Sequence, residues 1–171
     1  MKMNVVRGFL VFIMIFMFSA SVGANPFLVG IIDVAVIIEQ SNAGKIANAA
    51  LAEEISAKQG MVDEKAAEIN ALVELFIESD EMSDEERTSL EAQHALLLAE
   101  YQELIIAAEK QVQESAQYLR TLLVSEIGEI VRIIAQREGY ALILESTSAA
   151  YYGKHIDITA EVIREYNKYY Q

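Results

Sequence analysis

The sequence has 171 residues, with 13 basic and 26 acidic side chains, a formal net charge of −13 and no cysteine. This negative balance argues against a protein that binds nucleic acid or an anionic membrane surface, because neither polyanion would attract it. The lack of cysteine excludes disulfides and thiolate metal sites, so packing or assembly must hold the fold together.

The first 24 residues have the three parts of a secretory signal peptide. Lys2 and Arg7 form a positive start, an unbroken apolar run covers residues 9–18, and small residues lead to Ala24. A membrane-spanning helix needs about 20 apolar residues, roughly twice this run, so cleavage after Ala24 is favoured over retention as an anchor. The sequence therefore predicts export, with a mature chain that begins at residue 25.

An apolar run over residues 27–38, rich in β-branched side chains, contains Asp33 as its only charge. This composition predicts a buried strand that turns into a helix. Ser41 and Asn42 then supply the side chains that commonly cap the start of a helix.

Residues 43–138 contain no proline and are rich in alanine and glutamate, which predicts two long helices. A short polar segment, residues 79–83, separates them, and Ser83 with Glu86 forms a capping box for the second helix. A short connection between long helices makes them antiparallel. We therefore expect a helical hairpin, here called the arm, with its tip near residues 79–83.

Apolar residues recur every seven positions in both helices of the arm, which indicates a coiled-coil seam between them. The predicted seam residues are Ile55, Val62, Ile69 and Phe76 in the first helix and Leu90, Leu97 and Leu104 in the second. Beyond Leu104 the pattern passes through Gln111 and Tyr118, so polar side chains interrupt it. Such a hairpin buries only one stripe on each helix, and we expect it to project from a separate body.

The chain after the arm predicts the rest of that body. Gly139 is placed to end the second helix, and residues 140–145 alternate like a strand. Residues 149–152 are predicted as a further strand, before a final helix over about 160–169 that Thr159 caps. A sheet this small cannot bury its own faces, which favours an oligomer. The predicted core of the assembled body is Val29, Ile31, Leu142 and Leu144.

The predicted fold class is α+β, with a small β body and a long antiparallel coiled-coil hairpin. Residues 1–24 form the cleaved signal peptide, residues 25–42 and 139–171 form the body, and residues 43–138 form the arm.

No catalytic, cofactor-binding or metal-binding residues are predicted. The acidic segment near Asp80 fails as a calcium loop, because Glu85 stands where an EF-hand requires glycine. His94 falls in the seam and is interpreted as a packed residue. Asp33 and Asp157 each flank an apolar segment, and we interpret them as turn-closing carboxylates rather than a catalytic pair.

Four local patterns resemble the Skp/OmpH family of periplasmic chaperones, and they follow the family's order through nearly all of the mature chain. They are VGIIDV at residues 29–34, SNAGK at residues 41–45, which is similar to the family's S-P-A-G-K, MSDEERTSLEAQ at residues 82–93, and EGYALILE with IDITAEVIREYN at residues 138–145 and 156–167.

The resemblance implies a non-enzymatic, ATP-independent holdase in the periplasm of a Gram-negative bacterium. It also implies a homotrimer shaped like a jellyfish, whose arms hold unfolded outer-membrane β-barrel proteins and prevent their aggregation. The residues that contact such clients stay unassigned. The arm tip is acidic where the family is commonly basic, so contact with lipopolysaccharide is not expected.

Two other functions compete with the chaperone. A non-catalytic coiled-coil scaffold or adaptor of the cell envelope would explain the heptads equally well, but it leaves the flanking strands unexplained. A hydrolase with a helical insertion would need a nucleophile and a base, and the sequence offers no such pair.

Overall fold

The computed structural model describes residues 27–78 and 82–170. The predicted signal peptide lies outside the described residues. In chain order the regular elements are β1 (Leu28–Ile32), α1 (Val34–Gln40), α2 (Asn42–Glu78), α3 (Asp84–Glu138), β2 (Tyr140–Glu145) and α4 (Thr159–Tyr166), with short 3-10 turns at Ser146–Ser148 and Lys154–Ile156.

The strand that turns into a helix, predicted from residues 27–38, is found in the structure, and the turn lies at Asp33. β1 ends at Ile32, and α1 begins at Val34. The Asp33 carboxylate accepts a hydrogen bond of 3.0 Å from the backbone N–H of Val36 and so caps α1. This cap, together with burial of one side of the helix, outweighs the strand preference of the β-branched residues.

The junction between α1 and α2 lies at Ser41, as the capping prediction required. The Ser41 hydroxyl accepts a hydrogen bond of 3.1 Å from the backbone N–H of Gly44, and Ser41 is fully buried. The capping box of Ser83 and Glu86 at the start of α3 is confirmed, and Gly139 ends α3 with a left-handed φ of 79°.

β1 and β2 pair in parallel, with Val29 opposite Leu142 and Ile31 opposite Leu144. The parallel arrangement follows from the connection, since the whole arm lies between the two strands and returns the chain to the same end. A Cβ atom on Gly30 would lie 3.0 Å from Ile158, so this position faces the core.

The predicted strand at residues 149–152 is wrong, because this segment has no regular secondary structure. Its sequence, Ala-Ala-Tyr-Tyr, offers no alternation of apolar and polar side chains, and Tyr151 is 89% exposed. The neighbouring edge of β1 is used by a later segment instead, since the backbone N–H of Ile158 donates to the carbonyl of Ile31 at 2.9 Å.

The hydrophobic core lies where α1 and α4 pack against the last third of α3. Its largest fully buried side chains are Ile37, Ile127, Ile134, Val162 and Tyr166. The arm leaves this core as an antiparallel pair of helices, and contacts such as Ser115 with Glu54 at 3.1 Å fix their register.

The inward-facing side chains of the arm recur with a longer period than the 3.5 residues of a heptad. In α2 this line is Ala43, Ala47, Leu51, Glu54, Lys58, Val62, Lys65, Ile69, Leu72 and Phe76. In α3 it is Leu90, His94, Leu97, Tyr101, Leu104, Ala108, Val112, Ser115, Leu119 and Leu123. Each line covers 33 positions in nine steps, about 3.7 residues a step, which is the period of an eleven-residue repeat rather than a heptad.

This longer period explains which predicted seam residues face the other helix. Six of them are on the inward line: Val62, Ile69, Phe76, Leu90, Leu97 and Leu104. Ile55 is 47% exposed and lies beside the line, because seven residues per two turns drifts away from the true contact over several turns. Tyr118 is 67% exposed for the same reason, and its neighbour Leu119 packs inward instead.

Candidate functional site

The two faces of the small sheet have different surroundings. Gly30 and Ile32 face the core, whereas the four residues predicted for the body core share the opposite face, because side chains alternate along a strand. Of those four, Ile31 is 2% exposed, but Leu142 and Leu144 are 41% and 37% exposed. A single chain therefore leaves half of this apolar set open to solvent, and we call it the open sheet face.

The edge of the sheet is also open. Among the described residues, β2 pairs with β1 and with no other strand. Its outer edge therefore presents unpaired N–H and C=O groups beside Leu142 and Leu144, which is the usual template for strand pairing between chains.

One flank of the arm is apolar. Near the root it is lined by Ile55, Val62, Ile105 and Val112, with Lys58, Gln59 and Glu109 beside them. Near the tip it is lined by Leu72, Val73, Phe76 and Ile77, with Glu91 and His94 beside them. Ile55, Val73 and Ile77 are 18 and 22 residues apart, close to five and six helical turns, so they lie on the same side of α2. We call this surface the apolar flank. Its members Ile55 and Ile77 are 47% and 73% exposed.

The opposite flank of the arm is charged. It is lined by Glu64, Lys65 and Glu68 of α2 and by Glu100 and Glu103 of α3, together with the apolar Met61, Leu104 and Ala107. Lys65 donates to Glu68 at 2.8 Å and to Glu100 at 3.0 Å, and these hydrogen bonds raise the pKa of Lys65. Such exposed ion pairs contribute little to stability. These side chains make this surface, here called the charged flank, richer in charge than the apolar flank, and Met61 is also exposed on it.

The residues weighed as possible catalytic or metal sites have structural roles. Asp33 and Asp157 both meet Thr159. The Thr159 hydroxyl accepts from the backbone N–H of Asp33 at 2.9 Å, and the Asp157 carboxylate accepts from the backbone N–H of Thr159 at 2.9 Å. Thr159 was expected to cap α4 with its own side chain, but Asp157 makes that contact instead. His94 lines the apolar flank near the tip. Within the described ranges, no group of three potential metal ligands comes together.

A polar cluster at the root of the arm was not foreseen from the sequence. Glu126 of α3 is half-buried and accepts hydrogen bonds from the hydroxyls of Tyr166 and Tyr170. Burial, followed by the bond to Glu126, raises the pKa of Tyr166 well above its ordinary value. The signal was present as tyrosines four residues apart at the C-terminus, but nothing in the sequence pointed to their acceptor.

None of the helices in the part of the chain that the structure describes has the length and apolar character needed to cross a membrane.

The sequence matches the family described as outer membrane protein (OmpH-like) over residues 28–166. Seven chains of known structure match. One is the crystal structure of a proposed outer membrane chaperone (OmpH-like) from Caulobacter crescentus CB15, with a TM-score of 0.77 and 14% identity. The match covers 82% of this chain and 84% of that chain, so the two share a fold. No curated protein matches the sequence.

The family match extends from the first residue of β1 to the last residue of α4 and so includes both the arm and the body. On this evidence the chain belongs to the OmpH-like family.

Proposed function

We propose that the protein is a non-enzymatic, ATP-independent holdase of the periplasm, which binds unfolded outer-membrane β-barrel proteins and prevents their aggregation. The observation that carries this proposal is the apolar flank, a row of exposed isoleucine and valine side chains along a helical arm. Membership of the OmpH-like family and the shared fold with a proposed outer membrane chaperone support it.

The proposed assembly is a homotrimer formed through the body. The open sheet face and the free edge of β2 support an assembly of this kind, because a second chain could bury Leu142 and Leu144 and pair with the edge strand. In the proposed assembly the arms lie side by side, with the apolar flanks of the chains facing a common space.

The mechanism follows from the chemistry of the two flanks. An unfolded client exposes apolar side chains and unpaired strand edges, which aggregate when clients meet. Many separate contacts along the apolar flank would each be weak, so the client is held but released without an energy source. The charged flank would face outward and keep loaded assemblies apart by like-charge repulsion. Neither a cofactor nor a catalytic residue has a part in this scheme.

The test is dilution of a urea-unfolded outer-membrane β-barrel protein into buffer, with and without a molar excess of the mature chain and without ATP. We expect the mature chain to suppress turbidity, whereas an equal mass of an unrelated acidic protein does not. Unchanged turbidity with several clients would contradict the proposal and favour the coiled-coil scaffold of the cell envelope.

A further inference from the structure

The C-terminal end of the described chain is bonded to both helices of the arm. Asn167 and Tyr170, together called the strap, follow α4. The backbone N–H of Asn42 donates to the Asn167 side-chain oxygen at 2.8 Å, and the Asn42 side-chain amide donates to the Tyr170 carbonyl at 2.7 Å. The Tyr170 hydroxyl lies 2.7 and 2.8 Å from the carboxylate oxygens of Glu126. The strap thus connects the start of α2 to the root of α3.

The strap is packed as well as hydrogen-bonded. The rings of Tyr166 and Tyr170 meet edge to face with centroids 5.3 Å apart, and Tyr166 is 1% exposed. Glu126 accepts from both hydroxyls, and hydrogen bonds to a charged acceptor are stronger than those between neutral groups. These contacts hold the strap against the body core rather than leaving it as a loose terminus.

The strap acts at the point where the arm leaves the body. Asn42 is the first residue of α2 and directly follows Ser41, where the chain turns between α1 and α2. α2 has 37 residues, which corresponds to about 55 Å of helix. A rotation of about 10° at Ser41 would therefore move the arm tip by about 10 Å. Contacts at this junction have a large effect on where the tip lies.

The residues of the strap lie just beyond the C-terminal end of the range that matches the family. The family match ends at residue 166, so Asn167 and Tyr170 are outside the matched range. A proline at Asn42, as in the S-P-A-G-K pattern, would have neither the backbone N–H nor the side-chain amide that donates here.

We propose that the strap sets the angle of the arm relative to the body, with Ser41 as the pivot. Because α3 runs unbroken from the arm into the core, breaking the strap would free the first turn of α2 at Ser41 and let the arm swing by a bend of α3 where it leaves the core, with the core itself intact. This inference concerns the arm's orientation and does not depend on the proposed chaperone function.

The experiment uses pulsed electron paramagnetic resonance to measure the distance between a label in the body and a label near the tip of the arm. The chain contains no cysteine, so a spin label can be attached to each of two introduced cysteines, Ala92→Cys on α3 and Thr147→Cys in the body. Both positions are exposed. Labelled mature chain is diluted into an excess of unlabelled chain, so that only distances within one chain are recorded. The strap variant combines Asn42→Ala, Asn167→Ala and Tyr170→Phe, which removes all three contacts of the strap. The control is Tyr169→Phe, whose side chain is 61% exposed.

Amide hydrogen exchange in the first turn of α2 shows independently whether the strap has opened. We expect it to rise about tenfold or more in the strap variant, since bonds to a charged group are lost. The distance distribution should broaden in the same variant and stay unchanged in Tyr169→Phe, with equal helix content in all three proteins. Faster exchange with an unchanged distance distribution would overturn the proposal, because the strap would then be local structure only. Unchanged exchange and distances would overturn it as well.

Discussion

The carbonyl oxygen of Ile38 lies 1.6 Å from the position that a Cβ atom of Gly44 would occupy. The last turn of α1 and the first turn of α2 approach this closely because the chain turns at Ser41. Gly44 has an ordinary negative φ, so the requirement for glycine comes from the close approach of two backbone segments rather than from a left-handed conformation.

We predict that Gly44→Ala destabilises the protein by about 3 kcal/mol or more, because a methyl group would overlap a backbone carbonyl that cannot move without opening the junction. Urea unfolding followed by circular dichroism, at fixed protein concentration, measures this. Gly60→Ala is the matched control. Nothing lies within 4 Å of its Cβ position, and alanine in a helix should stabilise by roughly 0.5–1 kcal/mol. Equal midpoints for the two variants would contradict the role assigned to Gly44.

The arm shows which structural features a local sequence pattern can predict. The existence of two antiparallel helices, the capping box at Ser83 and the left-handed Gly139 were all predictable, because each depends on local chemistry. The seam was predictable only in part, since a heptad and an eleven-residue repeat agree over two or three turns and then separate. Ile55 and Tyr118 lie where the two periods have drifted apart.

The body was less predictable, because its elements depend on contacts between distant segments. The change from strand to helix within residues 27–38 was predictable, but the run of β-branched residues did not show that the helix begins after Asp33. The irregular conformation of residues 149–152 and the hydrogen bond from the strap to Glu126 depend on which neighbouring segments are available after folding. Such pairings, more than 40 residues apart in the case of Tyr170 and Glu126, leave no periodic signal in the sequence.

Adjacent leucines in α3 test the register of the seam. Leu123 is 6% exposed and belongs to the core cluster, whereas Leu122, which follows Tyr118 by four residues and would face the seam in a heptad pattern, is 41% exposed. We expect Leu123→Ala to lower the free energy of unfolding by about 2–4 kcal/mol, and Leu122→Ala by less than about 1 kcal/mol. Chemical denaturation of both variants measures the difference. If Leu122→Ala lowered the free energy of unfolding more than Leu123→Ala, the seam would follow the heptad register instead.

Assembly through the open sheet face predicts that Leu142→Asp and Leu144→Asp, singly or together, yield a smaller species. A carboxylate buried between chains would lack a partner and oppose association. Size-exclusion chromatography with light scattering gives the mass directly. The control is Leu96→Asp, the same chemical change at a position in the arm that is 60% exposed. If the Leu142 and Leu144 variants keep the mass of the parent protein, the open sheet face is not the assembly surface.

The raised pKa of Tyr166 predicts a specific loss of stability in alkali. The folded protein retains a proton that the unfolded chain releases above about pH 10, so the contribution is complete below that pH and is lost as the pH rises toward the folded pKa. Tyr166→Phe should therefore flatten the fall of the urea midpoint between about pH 9 and about pH 11. Tyr169→Phe, which changes an exposed ring, should keep the slope of the parent. Parallel slopes for both variants would show that Tyr166 does not govern alkaline unfolding.

The difference between the flanks of the arm predicts where clients bind. Ile55→Ser with Ile77→Ser removes two side chains of the apolar flank, which are 47% and 73% exposed. The matched control is Met61→Ser with Leu96→Ser, where the side chains are 49% and 60% exposed. Met61 lines the charged flank, and Leu96 lies on that side of α3, three turns before its member Ala107.

Because all four side chains are largely exposed, both double variants should fold with little change in stability, so that a difference in client binding reflects the surface alone. We expect the first pair to bind clients about 30-fold more weakly and to require correspondingly more protein for the same suppression of turbidity, since about 1 kcal/mol of apolar contact is lost at each of the two positions. The second pair should match the parent. Equal loss in both pairs would mean that exposed apolar side chains bind clients irrespective of flank, and loss in the control pair alone would place the client on the charged flank.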